Sequence, residues 1–499
     1  MEVVSRRRWL VLGAIALSTL TVGLDTTVLN VALPTLAREL GADSAALQWF
    51  ATAYTLTLAA LMIPAGTLGD RFGRKRLFVA ALAVFGVASL GCALAQSPGQ
   101  LIAARIVLGI GAAALMPLST AVIAVLFPEP AERGRAVGVS MTMVMLGMPL
   151  GPILGGLLLR NFWWGSVFLI NLPMVAICLL AVGAMLPESR SATPHPVHLP
   201  GIALSSAGLF ALTYGFIRAG DRGWSDAAAW VSVAAGAALL AVFVLHQRRA
   251  AHPVIDLGLF AHDGFRWGAV YSVFMSFAMF GVMFTIPQYM QAVLGADAFG
   301  SGLRQLPMVG GLMGAKLLTG RLTGRRALLV GFALLAAGAA IGSATTAHSP
   351  YWFAACWIAI AGLGLGIVMP ASVAMAVGAL TRDRAGSGSA LLNSLRQAGG
   401  TIGVAVLGTV LATRYHGALG DLNHPPFSEG VSPGVAAAAG DSAMVEHVRE
   451  AFMSGTSSLL WACAGICMLA LGTLVTARIR AKNARPEPHR EEIGVASTP

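Results

Sequence analysis

The chain has 499 residues, 56% of them hydrophobic and only 11% charged, with a formal net charge of +11. A soluble globular chain carries about 25% charged residues, so most of this surface faces an apolar medium rather than water. The basic excess falls in short clusters between long apolar runs, such as Arg6, Arg7 and Arg8, or Arg74, Lys75 and Arg76. It forms no sustained basic face with interleaved aromatics, which argues against a nucleic-acid partner.

A helix needs about 20 apolar residues to cross the hydrocarbon core. In chain order such runs fall at 9–33, 46–68, 77–96, 100–126, 135–159, 165–186, 200–218, 227–245, 268–292, 303–320, 327–346, 352–378, 387–412 and 452–477. They predict an all-α polytopic membrane protein with fourteen transmembrane helices. No period-2 pattern of barrel strands is present. The first run follows a basic N-terminus but has no credible cleavage site, and reads as a retained helix. The basic clusters at Arg6–Arg8, Arg71–Arg76, Arg133 and Arg135, Arg190, Arg248, Arg249 and Arg266, Arg321–Arg326, and Arg382 and Arg384 then share one side with the C-terminal tail. The positive-inside bias makes that side, with both termini, cytoplasmic, and the surroundings the lipid of an inner membrane. Residues 413–450 read as an exposed external loop with no evident fold, and 478–499 as a disordered cytoplasmic tail.

Several residues resist a purely structural reading. Asp25 is the one acid in the clearly apolar interior of a span, so it must be paired, protonated or turned to a cavity. Asn30, Thr26 and Thr27 supply polar groups near it. Arg105 lies near the start of the fourth span and keeps its charge, so it needs a carboxylate, carbonyls or water. In the loop "GTLGDRFGRKRLF", Asp70 stands where a carboxylate can meet the free N–H groups of the third helix. Gly66, Gly69 and Gly73 there permit close backbone approach, beside Arg71, Arg74 and Lys75. The fifth span carries Gly138, Gly147, Gly151, Gly155 and Gly156 with Pro149 and Pro152, a pattern for bending and tight packing. Phe277, Phe280, Phe284 and Tyr289 in the ninth span are candidate cavity-lining residues, with packing as the alternative for each. The five cysteines, scattered through apolar segments, and the linker residues His195 and His198 point to no metal site. No phosphate-binding glycine loop is present, and no clustered catalytic set marks an enzyme.

These motifs together resemble the major facilitator superfamily, and within it the fourteen-helix drug:proton antiporter family, over nearly the whole length to about residue 477. "LDTTVLNVALP" from Leu24 to Pro34 looks like its first-helix motif, and "GTLGDRFGRKRLF" like the superfamily loop signature. Arg105, Gly109 and Gly111 look like the fourth-helix motif, and the glycines and Pro152 of the fifth span like the antiporter signature. The resemblance implies a six-helix bundle over 1–190, two inserted helices over 191–250 and a second bundle over 251–477, working by alternating access. It implies proton-driven export of hydrophobic, often cationic compounds, with no cofactor beyond the coupling proton and a monomer sufficient. Asp25 and Arg105 would couple the proton, the Asp70 loop would gate the cytoplasmic side, and the fifth helix would be the hinge. Alternatives are a proton-coupled nutrient importer and a non-transporting membrane sensor. The sequence departs from the family where "GRLTGRR" at Gly320–Arg326 has no aspartate, where Arg218 stands in place of an acid, and where the tenth span has Lys316 but no carboxylate. Arg396 and Gln397 look like the start of the family's thirteenth helix.

Overall fold

The structure, a computed structural model, describes residues 2–190, 199–250, 257–319, 322–378, 380 and 382–483. His195, His198 and the tail beyond residue 483 lie outside them. The elements are helical throughout: α1 (Glu2–Glu39), α2 (Ser44–Phe72), α3 (Arg74–Ala93), α4 (Pro98–Leu126), α5 (Pro130–Asn161), α6 (Ser166–Leu169), α7 (Asn171–Met185), α8 (Leu199–Arg222) and α9 (Ala227–Arg249). They continue as α10 (Asp263–Gln288), α11 (Ala298–Leu303), α12 (Leu306–Thr319), α13 (Gly324–Gly342), α14 (Tyr351–Gly378), α15 (Arg382–Leu419), α16 (Val431–Ala437) and α17 (Ser442–Asn483). A medium without water leaves backbone groups no partners but one another, which favours long unbroken helices. Short polar caps start several of them: Asp43, Ser97, Asp226 and Asp297 accept from the N–H groups of Ala46, Gln100, Ala228 and Gly300.

Among the described residues, twelve helices are long and apolar enough to cross a membrane. Their outer surface is apolar too: Leu180, Val231 and Leu317 are 75%, 68% and 82% exposed. Water would penalise that surface, whereas lipid accepts it.

Helix pairing repeats along the chain. In the first half α1 packs on α5 and α7, α2 on α4, and α3 on α4 and α7. In the second, α10 packs on α15 and α17, α12 on α14, and α13 on α14 and α17. The two most extensive cross-pairs between the halves, α2 with α15 and α5 with α11, are equivalent under the same correspondence. Such internal repetition is the usual build of a secondary transporter. The α8–α9 pair leans on this frame through α8, which touches both α2 and α15. There the Thr409 hydroxyl donates to the Phe216 carbonyl at 2.6 Å and Trp224 Nε1 donates to Thr413 at 3.0 Å.

The halves meet at the end where α1 gives way to α2. Gln291 donates to the Val31 carbonyl at 2.9 Å, Ser44 to the Glu429 carbonyl at 3.1 Å, and, deeper, Thr401 to Thr55 at 2.8 Å. Phe284 and Val404 of the second half sit in the first half's hydrophobic core.

Glycines make the α5 contacts possible. A Cβ on Gly147 would lie 2.8 Å from the Leu20 carbonyl oxygen, one on Gly151 2.9 Å from Val28 N, and one on Gly155 2.8 Å from Val28 Cγ2. These positions, four residues apart, form one seam against α1. Gly156 turns outward to the second half, its missing Cβ 2.6 Å from Phe299 Cα, and Gly302 packs against Pro152. The fifth-span pattern is therefore a packing seam on one side and a contact between halves on the other. Gly138 lies in α5, but its surroundings are outside the described residues.

The segment expected as a foldless external loop is ordered instead. α15 runs on to Leu419, 3-10 turns follow at Gly420–Leu422 and Phe427–Glu429, and α16 leads into α17. The cause is a small apolar cluster that the low local hydrophobicity concealed. Phe427, Val431 and Val448 are buried around Tyr415, whose hydroxyl donates to the Phe427 carbonyl at 2.8 Å.

Overpacking a dense core costs roughly 1–3 kcal/mol. Gly151→Val, which drives a side chain into Thr27 and the α1 backbone, is expected to lower the thermal unfolding temperature in detergent. Gly13→Ala, which meets open space, is expected to leave it unchanged or higher. Equal behaviour of the two variants contradicts the seam.

Candidate functional site

Asp25, midway along α1, is completely enclosed, and so is Arg105 of α4, at 0% and 1% exposure. The Arg105 Nη1 donates to Asp25 Oδ2 at 2.7 Å, and its Nε donates to the Phe50 carbonyl of α2 at 3.2 Å. The guanidinium carbon sits 4.6 Å from the centre of the Tyr54 ring. The other Asp25 oxygen accepts from Asn171 Nδ2 at 3.0 Å, and that amide also donates to Ser89 at 2.8 Å. One carboxylate thus ties α1 to α4 and α7, and the guanidinium and amide extend the tie to α2 and α3.

The sequence marked Asp25 and Arg105 separately, and the fold joins them. Asn171 and Ser89 were missed, although a lone amide opening the apolar run "NLPMVAICLL" was a usable sign. Asn30, partly buried, lies on α1 beyond this cluster. Removing one partner of a buried ion pair strands the other charge and costs about 3–5 kcal/mol.

At the loop signature, Gly73 takes φ 111° between α2 and α3, a backbone conformation that side chains disfavour. Its missing Cβ leaves room for Glu188, whose Oε1 would lie 2.6 Å away. Glu188 accepts from the N–H groups of Lys75 at 3.1 Å and Arg76 at 3.3 Å, while Arg74 N–H donates to the Ser189 carbonyl at 2.9 Å. Glu188, which follows α7, thus sets a carboxylate at the α3 N-terminus, the place at which Asp70 was expected. The Asp70 side chain lies outside the described residues. Gly66 and Gly69 pack against Pro117 and Leu118 of α4, and Arg71 is exposed with its guanidinium near the Phe72 ring.

A partly open cavity, with about 50 Å³ of room for water-sized centres, lies between α5 and the second half. Five methionines line it: Met275, Met279 and Met283 on one face of α10, with Met308 and Met369 opposite. Pro152 and Ile153 close it on the α5 side, and Gln305 adds the one polar side chain to the lining. Thioethers are polarizable and adapt to varied apolar shapes, aromatic ones included. The four-residue spacing of the α10 methionines was visible in the sequence, but their aromatic neighbours drew attention first. The Phe280 ring faces α15, where Gly400 makes room for it, and Gly403 of α15 packs on the Phe277 backbone. Phe284 belongs to the core shared with the first half. Tyr289 lines a smaller cavity with Trp357, Met453 and Thr456. His348, Glu446 and Glu450 bring potential ligand atoms within 4.8 Å of one another, but at a largely exposed position near the start of α17.

Residues 15–404 match the family described as Major Facilitator Superfamily. The chain belongs to the major facilitator superfamily. It is 35% identical to a methylenomycin A resistance protein of Streptomyces coelicolor over 392 residues, 78% of this chain and 82% of that one. It is 33% identical to a tetracenomycin C resistance and export protein of Streptomyces glaucescens, across 89% and 84% of the two chains. A cephamycin export protein of Amycolatopsis lactamdurans is 37% identical over 80% of this chain and 84% of its own. Among solved structures, a bacterial homolog of the human lysosomal transporter Spinster, inward-facing and unoccupied, superposes with a TM-score of 0.67. That match has 16% identity and covers 97% and 99% of the chains, so it speaks for the fold alone. This major facilitator is a bacterial multi-pass membrane transporter related to antibiotic-resistance and export proteins, and not an enzyme.

Arg105→Ala alone is expected to cost about 3–5 kcal/mol by stranding Asp25. The double variant Asp25→Asn with Arg105→Gln should lose less than the two single variants summed, read by unfolding in mixed micelles. Additive losses contradict the energetic coupling of the pair.

Proposed function

We propose that the protein exports hydrophobic small molecules in exchange for protons, with the Asp25–Arg105–Asn171 cluster as the proton-sensitive element. The observation that carries the reading is the complete enclosure of that cluster. A proton arriving at Asp25 neutralises the carboxylate and frees a guanidinium that also holds Phe50 and Tyr54. The helices of the first half joined through Asp25 then lose a common tie, which is how one proton can bias the packing of a whole bundle. Relatives named for resistance to, or export of, methylenomycin A, tetracenomycin C and cephamycin support the outward direction.

Fourteen spans follow if α5 and the α11–α12 pair join the twelve long apolar helices. Exposed Leu146 and Leu157 on α5, and Met313 and Leu317 on α12, suit that placement. The six-plus-two-plus-six arrangement, with both termini cytoplasmic, the Asp70 loop as gate and α5 as hinge, belongs to the same reading. The methionine-lined cavity is the proposed seat for the hydrophobic part of the substrate. No carboxylate lines it, so neutral compounds fit it better than cations do. One copy holds both halves and the cavity, and a monomer suffices.

The test is compound-dependent proton release from acid-loaded proteoliposomes, across a panel of neutral antibiotics and lipophilic ions. Wild type is expected to release protons with at least one compound. Asp25→Asn is expected to bind that compound but release none. Equal exchange by both proteins removes Asp25 from the coupling, and no exchange by wild type removes the antiport.

A further inference from the structure

Arg396 of α15 stands in contrast to Arg105. Both are arginines within apolar spans, and neither can shed its proton. Arg105 has a carboxylate, a carbonyl and an aromatic ring. Arg396 has one long hydrogen bond, 3.4 Å from Nη1 to the Asn393 side chain, and its Nε is buried with no partner. Among the described residues no carboxylate pairs with it, and the acid inside the first span, Asp25, is committed elsewhere.

The contacts of α15 fix the depth of this charge. Thr401 meets Thr55 and Gly408 meets Gln48, so α15 runs antiparallel to α2 and Arg396 lies level with about Ala60. At 1.5 Å per residue that is ~9 Å along the helix from the level of Tyr54, which stacks on Arg105, and ~15 Å inside the level of Asp70. Arg396 therefore stands inside the span, partly buried and with its guanidinium drawn back toward Asn393, where an uncompensated charge is still costly. Gly400, one turn on and on the same face, packs against the ring of Phe280, with 2.9 Å between its missing Cβ and Phe280 Cδ2. Phe280 in turn packs against the cores of both halves. Arg396 thus shares the α15 face that packs on Phe280, at the seam between the halves and on the flank of α10 away from the methionine face, and its guanidinium reaches back one turn to Asn393.

We propose that Arg396 is a substrate-recognition residue that binds the acidic group of hydrophobic organic anions, such as aromatic carboxylates, as they pass through the seam. A planar fork of donors matches a carboxylate bidentately, and the unsatisfied Nε supplies one arm of the fork. The substrate completes in transit the pairing that the described residues leave open. The inference rests on the export reading and narrows its substrate class toward anions, opposite to the cations that the resemblance implies.

The test measures binding of two matched probes, 1-pyrenebutyrate and its neutral N-methylamide, to the purified full-length chain in detergent. Wild type is expected to bind the carboxylate roughly tenfold or more tightly than the amide, about one charge-assisted contact. Arg396→Gln should abolish that preference while leaving amide binding unchanged, and Arg396→Lys should restore part of it. Wild type that binds the two probes equally, or neither, overturns the proposal, as does an Arg396→Gln protein that keeps the preference. Proton release separates this from the export reading. If the preference holds but no compound drives protons, the export reading fails while the anion site stands.

Discussion

A carboxylate and a guanidinium held 2.7 Å apart, both shut away from the surface, set the terms for the first half of this protein. In such a medium each charge is tolerable only because of the other and of the amide, carbonyl and ring around them. Asp25 on α1, Arg105 on α4 and Asn171 on α7 must therefore stay in register, and Phe50 and Ser89 bring α2 and α3 to the same point. Everything else in that half can be apolar packing, because this cluster fixes how the helices are turned.

The glycine seam of α5 complements the pair mechanically. Gly147, Gly151 and Gly155 press α5 against α1, the helix that carries Asp25, while Gly156 and Pro152 reach across to α11. A change in how α1 sits has a direct route to the contact between halves. The seam and the ion pair are thus two parts of one connection, one electrostatic and one steric. The second half has the same helix pairing but a different polar content. Among the described residues its arginine on α15 pairs with no carboxylate, and its cavity beside α5 is lined largely by thioethers.

Much of the fold was legible in the sequence because the bilayer imposes one rule, an apolar run long enough to cross it. Asp25, Arg105 and the fifth-span glycines stood out because each breaks the composition of its surroundings. Pairing was not legible: 80 residues separate Asp25 from Arg105, and nothing local says that α1 and α4 bring them together. The capping role of Glu188 was hidden for the same reason, since 113 residues lie between it and Lys75. The ordered segment after α15 was misread because burial there rests on a few scattered residues, Tyr415, Phe427 and Val431, rather than on a run. The methionine cavity was half visible, as a four-residue repeat without a stated partner.

The account depends on Asp25 changing its protonation state as a compound binds. Difference infrared spectroscopy of the protein in membranes reads this directly, through the carbonyl band of a protonated carboxylic acid. The account predicts a band that grows on acidification, shrinks when a compound that drives proton release is added, and is missing from Asp25→Asn. A spectrum with no Asp25-dependent band, or a band indifferent to the compound, would mean that the pair is a fixed structural tie and that the proton is carried elsewhere.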